Sequence, residues 1–154
     1  MVPVDLITGF LGAGKTTFLQ KYTDYLARQG IRFAVVENEF GAAGVDTAAL
    51  QAGGQPHAVY ELTGGCICCT LKQSFHEMLS SLAGRYARIL VEPSGLFNLD
   101  DFNEVMYVLE HDGICCPGLC LTVVDPHTLP GLDADARRTL YGELCTTGAV
   151  LWSK

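Results

Sequence analysis

Apolar positions along the chain fall into two alternating kinds of run. Val2–Thr8 and residues 32–37, 87–92, 119–125 and 150–153 are short, rich in Val, Ile and Leu, and free of polar alternation. Strands of that kind are dry on both faces, the pattern of a mainly parallel sheet with helices on each side. Between them, apolar residues recur at about every 3.6 positions. Phe18, Leu19, Tyr22 and Leu26 make one stripe, and Leu71, Phe75, Met78, Leu79 and Leu82 a second. Leu99, Phe102, Met106 and Leu109 make a third, and Ala136, Leu140 and Leu144 a fourth. The alternation predicts one doubly wound α/β domain. Residues 38–57, with Gly41, Gly44, Gly53, Gly54 and Pro56, read either as a functional loop or as a loop with a short Ala-rich helix over 45–52.

Composition narrows the class. A chain of 154 residues fits one compact domain, and 49% apolar against 18% charged residues is too apolar for a disordered tail. Ten Lys+Arg against seventeen Asp+Glu give a net charge of −7, which argues against a general nucleic-acid binder but not against one locally held nucleotide. No run reaches the roughly 18–20 apolar residues that span a bilayer, and the N-terminal residues lack the form of a secretory leader. A cytoplasmic protein that makes no membrane contact is expected.

The first motif opens at Gly9. GFLGAGKTT matches G-x-x-x-x-G-K-S/T at every specified position, with Gly9, Gly12, Ala13 and Gly14 leading to Lys15, Thr16 and Thr17. An apolar strand precedes it and a helical stripe follows, the context a P-loop requires. Backbone N–H groups there curl around phosphates at a helix N-terminus, Lys15 neutralises phosphate oxygens, and the Thr16 hydroxyl serves Mg²⁺. A glycine-rich turn with an incidental lysine is the plain alternative. Such a site needs a carboxylate at the end of a neighbouring strand. ILVEPSG supplies Glu92, followed by Gly95, whose N–H suits a switch that senses the γ-phosphate.

Seven cysteines are an odd number, and a reducing compartment does not favour a disulfide framework. Cys66, Cys68 and Cys69 crowd behind a glycine pair in GGCICCT, and the Thr70–Gln73 spacing of a capping box predicts a helix start near Leu71. Thiolates are favoured near a helix N-terminus, and thiolate is the form that binds Zn²⁺, Co²⁺ or Cu⁺. Metal binding, redox chemistry and simple packing are the three readings. Cys115, Cys116 and Cys120, at the entrance to the strand at 119–125, read as packing, and Cys145 as structural. His57, His76, His111 and His127 show no paired metal spacing. His57, nine residues before Cys66, is an outside candidate for the thiol loop.

Taken in order, GFLGAGKTT, ENEFG (Glu37 to Gly41), GGCICC and ILVEPSG resemble the CobW-like GTPases, relatives of the UreG and HypB nickel-insertion proteins, over essentially the whole chain. The resemblance implies a P-loop GTPase that binds GTP and Mg²⁺, carries zinc or cobalt, and serves a client metalloprotein or cofactor-synthesis enzyme, with oligomers possible in such a family. It implies phosphate and Mg²⁺ roles for Lys15 and Thr16 and a second nucleotide motif at Glu92 and Gly95. It further implies metal-binding thiols at Cys66, Cys68 and Cys69, a metal-binding carboxylate at Glu37, and a first-switch Asp at Asp46. The usual Glu after NEFG is Ala42 here. Ser153 and Lys154 resemble the start of the guanine-reading S/N/T-K-x-D motif. The resemblance therefore implies a chain cut off at that motif, without the family's C-terminal domain. Two alternatives stand beside it: a metal-binding module without competent hydrolysis, and a P-loop kinase or ATPase with inert cysteines.

Overall fold

The computed structural model describes residues 1–38, 58–61, 69–93 and 99–153. The elements are β1 (Val2–Thr8), α1 (Lys15–Arg28), β2 (Phe33–Asn38), β3 (Ala58–Glu61), α2 (Cys69–Ala83) and β4 (Arg88–Pro93). They continue with α3 (Leu99–His111), β5 (Cys115–Val124), a 3-10 turn (Leu129–Gly131), α4 (Ala134–Thr146) and β6 (Ala149–Trp152). The described strands form one parallel sheet in the order β3-β2-β4-β1-β5-β6.

Alternate residues of the strands feed two cores. Val4, Leu6, Val36, Ile89 and Val91 pack against Phe75, Leu79 and Leu82 of α2 and Phe102, Met106 and Leu109 of α3. Ile7, Val35, Leu90, Leu121 and Val123 pack on the opposite face against Leu19 and Leu26 of α1. Both faces are dry, hence the unbroken apolar runs. The chain steps from β1 to β2 in one direction across the sheet and from β4 to β5 in the other. Right-handed crossovers then put α1 and α3 on opposite faces, opening a crevice at the carboxyl ends of β1 and β4. No described helix is long and apolar enough to cross a membrane.

Several expected boundaries move. The five predicted strands are joined by β3, a four-residue strand that hydrophobic patterning alone passes over. Strand β5 begins at Cys115, so Cys115, Cys116 and Cys120 all lie within it, not at its entrance. Pro117 and Gly118 do not end the strand, because the β1–β5 register shifts between Val4 and Leu6 and absorbs them as an irregularity. A Cβ at Gly118 would lie 2.2 Å from Asp5 Oδ1, and this close approach lets Leu119 N donate to the same oxygen at 2.7 Å. Helix α2 starts at Cys69, two residues before the expected Leu71, so Cys69 belongs to its first turn. Cys145 is exposed on α4 and has no packing role.

Asp5 is fully buried, and a buried carboxylate persists only when paired. Tyr22 Oη donates to Asp5 Oδ2 at 2.8 Å, and Arg88 donates to the same oxygen at 2.7 Å and to Tyr22 Oη at 2.7 Å. One carboxylate thus ties together β1, α1, β4 and β5. Burial, helped by the Asp5 hydrogen bond, pushes the Tyr22 phenol up to about 12.

Asp5→Ala leaves Arg88 without its counter-charge and is expected to cost about 3–5 kcal/mol in urea unfolding. The Tyr22 proton is held more tightly in the fold than in the unfolded chain. Its contribution is therefore complete below pH 10 and fades as pH rises from 10 towards 12. Tyr22→Phe should remove that part of the alkaline loss of stability.

Candidate functional site

Strand β1 reaches the carboxyl edge of the sheet at Thr8, between β4 and β5, and the turn that follows passes tightly over β5. Gly9 permits this: its φ is +130°, and a Cβ there would lie 2.2 Å from the Val123 carbonyl oxygen. Ala13 N then donates to the Phe10 carbonyl at 3.1 Å, and Gly14 caps α1. The loop leads into the N-terminus of α1, whose first N–H groups lack helical partners and whose dipole favours an anion.

Lys15, the first residue of α1, is only 9% exposed. Its ammonium donates to the Gly9 carbonyl at 2.8 Å and to the Phe10 carbonyl at 3.2 Å. Burial lowers its pKa, and the charges of Glu92 and Glu143 push it back up. Its hydrogen-bonded partners are thus neutral carbonyls, and a phosphate oxygen in the cradle is a stronger acceptor than either. Next to it, the Thr16 hydroxyl donates to Glu92 Oε1 at 3.3 Å. Hydroxyl and carboxylate oxygens are the hard donors that Mg²⁺ prefers, so this pair fits that ion. Thr17 is exposed on the first turn of α1.

Glu37 is 9% exposed and stands in register with Glu92 on β4 and with Glu61 on β3. Three glutamate positions are therefore level on adjacent strands, at a spacing of about 4.8 Å. Of the residues singled out from the sequence, Lys15, Thr16, Glu92 and the Gly9–Gly14 loop come together at the β1–β4 crevice, with Glu37 one strand further out. Asp46, Cys66, Cys68, Gly95, His57 and Lys154 lie outside the described residues. Among the described residues, no group of three His, Cys, Asp or Glu side chains is placed to hold a metal ion.

Two contributors were not legible as such in the sequence. Ser153, which the family resemblance sets at the start of the base-reading motif, donates its hydroxyl to the Ala13 carbonyl, while its N–H donates to Val124 O at 2.9 Å. The end of β6 is thereby fastened to the P-loop. Glu143 lies on α4, a weakly amphipathic helix in which a glutamate reads as solvated. Its Oε2 is instead shielded from solvent and has no hydrogen-bond partner among the described residues. Burial raises its pKa, and the Lys15 charge opposes that rise.

Comparison with known proteins identifies the family to which the chain belongs. Residues 3–146 match the family model described as "CobW/HypB/UreG, nucleotide-binding domain". The zinc chaperone YeiR of Escherichia coli is 40% identical over 100% of this chain and 47% of its own length. The zinc chaperone CobW of Pseudomonas aeruginosa is 36% identical over 80% of this chain and 35% of its own length. The chain thus spans less than half the length of these relatives. The signal recognition particle receptor FtsY of Elizabethkingia anophelis, solved in complex with GDP, superposes with a TM-score of 0.69 at 16% identity, covering 100% of this chain and 49% of that one. That likeness concerns the fold alone.

Substitutions at two glycines separate crowding from backbone strain. Nothing lies within 4 Å of a Cβ at Gly12, whose φ is +77°, so Gly12→Ala should cost only the left-handed strain of about 1–2 kcal/mol. Gly9→Ala adds a collision with the backbone of β5 and should cost clearly more. Thermal unfolding of the two variants checks the order.

Proposed function

We propose, on the ground that the chain belongs to the CobW/HypB/UreG nucleotide-binding family, that it is the GTP-hydrolysing part of a zinc metallochaperone. The observation that carries the nucleotide half is the Lys15 ammonium held at the mouth of the glycine cradle, beside the Thr16–Glu92 pair. In this reading Gly9, Gly12, Ala13, Gly14 and Thr17 line or flank the phosphates, and Lys15 neutralises their oxygens. Gly95 reports the γ-phosphate, and Asp46 belongs to the first switch. Lys154 begins the base-reading motif, and the 154 residues are the P-loop part of a longer GTPase. Thr16 and Glu92 would hold Mg²⁺, which when bound neutralises phosphate charge. Fixing the phosphates in line with the attacking water is this chain's own contribution, and turnover stays slow until a partner completes the site.

The metal is cargo. Cys66, Cys68 and Cys69, with Glu37, form the site that takes it up. Relatives named as zinc chaperones support zinc; cobalt is the other cargo compatible with a thiolate-rich site. The client is a metalloprotein or a cofactor-synthesis enzyme, met in the cytoplasm. Order imposed on the loops by the γ-phosphate and released on hydrolysis would couple the two sites.

Three measurements test this. Lys15→Ala should abolish binding of GTP with Mg²⁺ in calorimetry and reduce phosphate release to background. Cys66, Cys68 and Cys69 changed together to Ser should remove stoichiometric Zn²⁺ from the purified chain. Zinc should tighten GTP binding by the same factor by which GTP tightens zinc. Equal GTP affinity with and without zinc removes the coupling, and ATP bound as well as GTP removes the guanine preference.

A further inference from the structure

Helices α2 and α3 pack into one core on the same face of the sheet, and both start at its carboxyl edge. Helix α2 opens at Cys69, and α3 opens at Leu99, four residues after Gly95. Two helix N-termini side by side bring two positive dipole ends together. Asp100 and Asp101 in the first turn of α3 answer one of them. The first turn of α2 holds no acidic residue and carries Lys72 instead. A cation there stands at the wrong pole of its own helix. The neighbouring helix supplies what it needs: the Lys72 ammonium lies 2.7 Å from Asp101 Oδ1 and donates to Glu104 Oε2 at 2.6 Å. Asp101 and Glu104 are three residues apart on α3, so one ammonium spans both. Deeper in the core, the rings of Phe75 and Phe102 join the same two helices, with centroids 6.1 Å apart.

We propose that Lys72 is a positioning residue that couples the metal and nucleotide sites, by clasping the start of α2 to the start of α3. This rests on the reading of the thiols as the zinc site and of the P-loop as the nucleotide site. The Phe75–Phe102 contact sets the spacing of the helices lower down, and the clasp sets it at their N-terminal ends. Those ends border the thiols on one side and the γ-phosphate segment on the other. A displacement of the start of α3 on nucleotide binding carries Lys72 with it, and with Lys72 the first turn of α2, which begins three residues earlier at Cys69. Cutting the clasp leaves each site its own ligands and removes the link between them. All three side chains are partly exposed, so the link is weakened by salt.

The test is titration of Zn²⁺ against a chromogenic chelator, with and without a non-hydrolysable GTP analogue and Mg²⁺. It compares wild type, Lys72→Met, the double variant Asp101→Asn with Glu104→Gln, and the charge exchange Lys72→Glu with Asp101→Lys. In Lys72→Met and the double variant, the factor by which nucleotide tightens zinc should fall about threefold or more. Zinc alone and nucleotide alone should bind within about twofold of wild type. The charge exchange restores an ammonium between two carboxylates and should recover the factor. Rising KCl should lower the factor in wild type and leave that of Lys72→Met unmoved. A lysine that only stabilises the helix pair would change thermal unfolding and neither the factor nor its salt dependence. A folded Lys72→Met with the wild-type factor overturns the inference and leaves both sites standing. Loss of zinc binding by Lys72→Met without nucleotide also overturns it, by putting Lys72 in the metal site itself. Loss of fold in both Lys72→Met and the double variant makes the clasp structural and overturns it as well. A wild-type chain whose zinc and nucleotide bind without mutual effect overturns the coupled reading and this inference together.

Discussion

A lysine ammonium nine-tenths buried at the edge of a parallel sheet is the constraint from which the rest of this molecule follows. An enclosed ammonium needs acceptors, and the carbonyls of Gly9 and Phe10 turn inward to supply them. They can turn inward only if the chain leaves β1 almost in contact with β5, which excludes any side chain at position 9. That contact in turn depends on how β1 sits between β4 and β5. Asp5 fixes it, by drawing Arg88 of β4, Tyr22 of α1 and the Leu119 amide of β5 onto one carboxylate. The anchor in mid-sheet and the cradle at its edge are one mechanical unit, four residues apart along the chain. Ser153 closes the unit from the far side by fastening the end of β6 to Ala13.

How far this was readable from the amino acids depends on whether a feature is local. The P-loop is local: a strand, three glycines, Lys-Thr and a helical stripe follow one another, and each residue's role comes from its neighbours in the chain. The strands buried on both faces are local in the same sense, because an unbroken run of Val, Ile and Leu carries its own burial. Strand β3 was missed since four residues, Ala58–Glu61, are too few to show a period. Its pairing with β2 is a property of the sheet. Pro117 and Gly118 misled for the opposite reason, being strong local breakers overridden by a register shift and by the need to clear Asp5. Glu143 carries no signal at all, because only the docking of α4 on β5 shields one carboxylate oxygen of an ordinary helical glutamate.

Charge gives the site its character more than shape does. The chain is acidic overall, yet the cradle is built to receive an anion. Backbone N–H groups, a helix dipole and one lysine do this locally, so the net charge of −7 is no obstacle to one nucleotide. The surrounding carboxylates then moderate the attraction. Glu92 also accepts from Thr16.

The sheet edge also explains how two chemistries can be coupled within one small body. Glu92, Glu37 and Glu61 occupy level positions on β4, β2 and β3, so the strand that borders the nucleotide crevice is two strands from the one that leads into the thiol segment. Strand β3 ends at Glu61 and α2 begins at Cys69, and both lie at the carboxyl edge of the sheet. In the proposed reading, a divalent ion at the thiols and a polyphosphate at the cradle bear on a common row of carboxylate positions. A shift in where one positive charge sits along that row changes the cost of placing the next. Neighbouring strands about 4.8 Å apart bring these positions close together, alongside the loop ordering that would couple the two sites. The order of the strands, which brings β4 between β1 and β2, is what lines these positions up. It sets the Thr16–Glu92 pair beside Glu37 and puts Glu61, the last residue of β3, one further strand away.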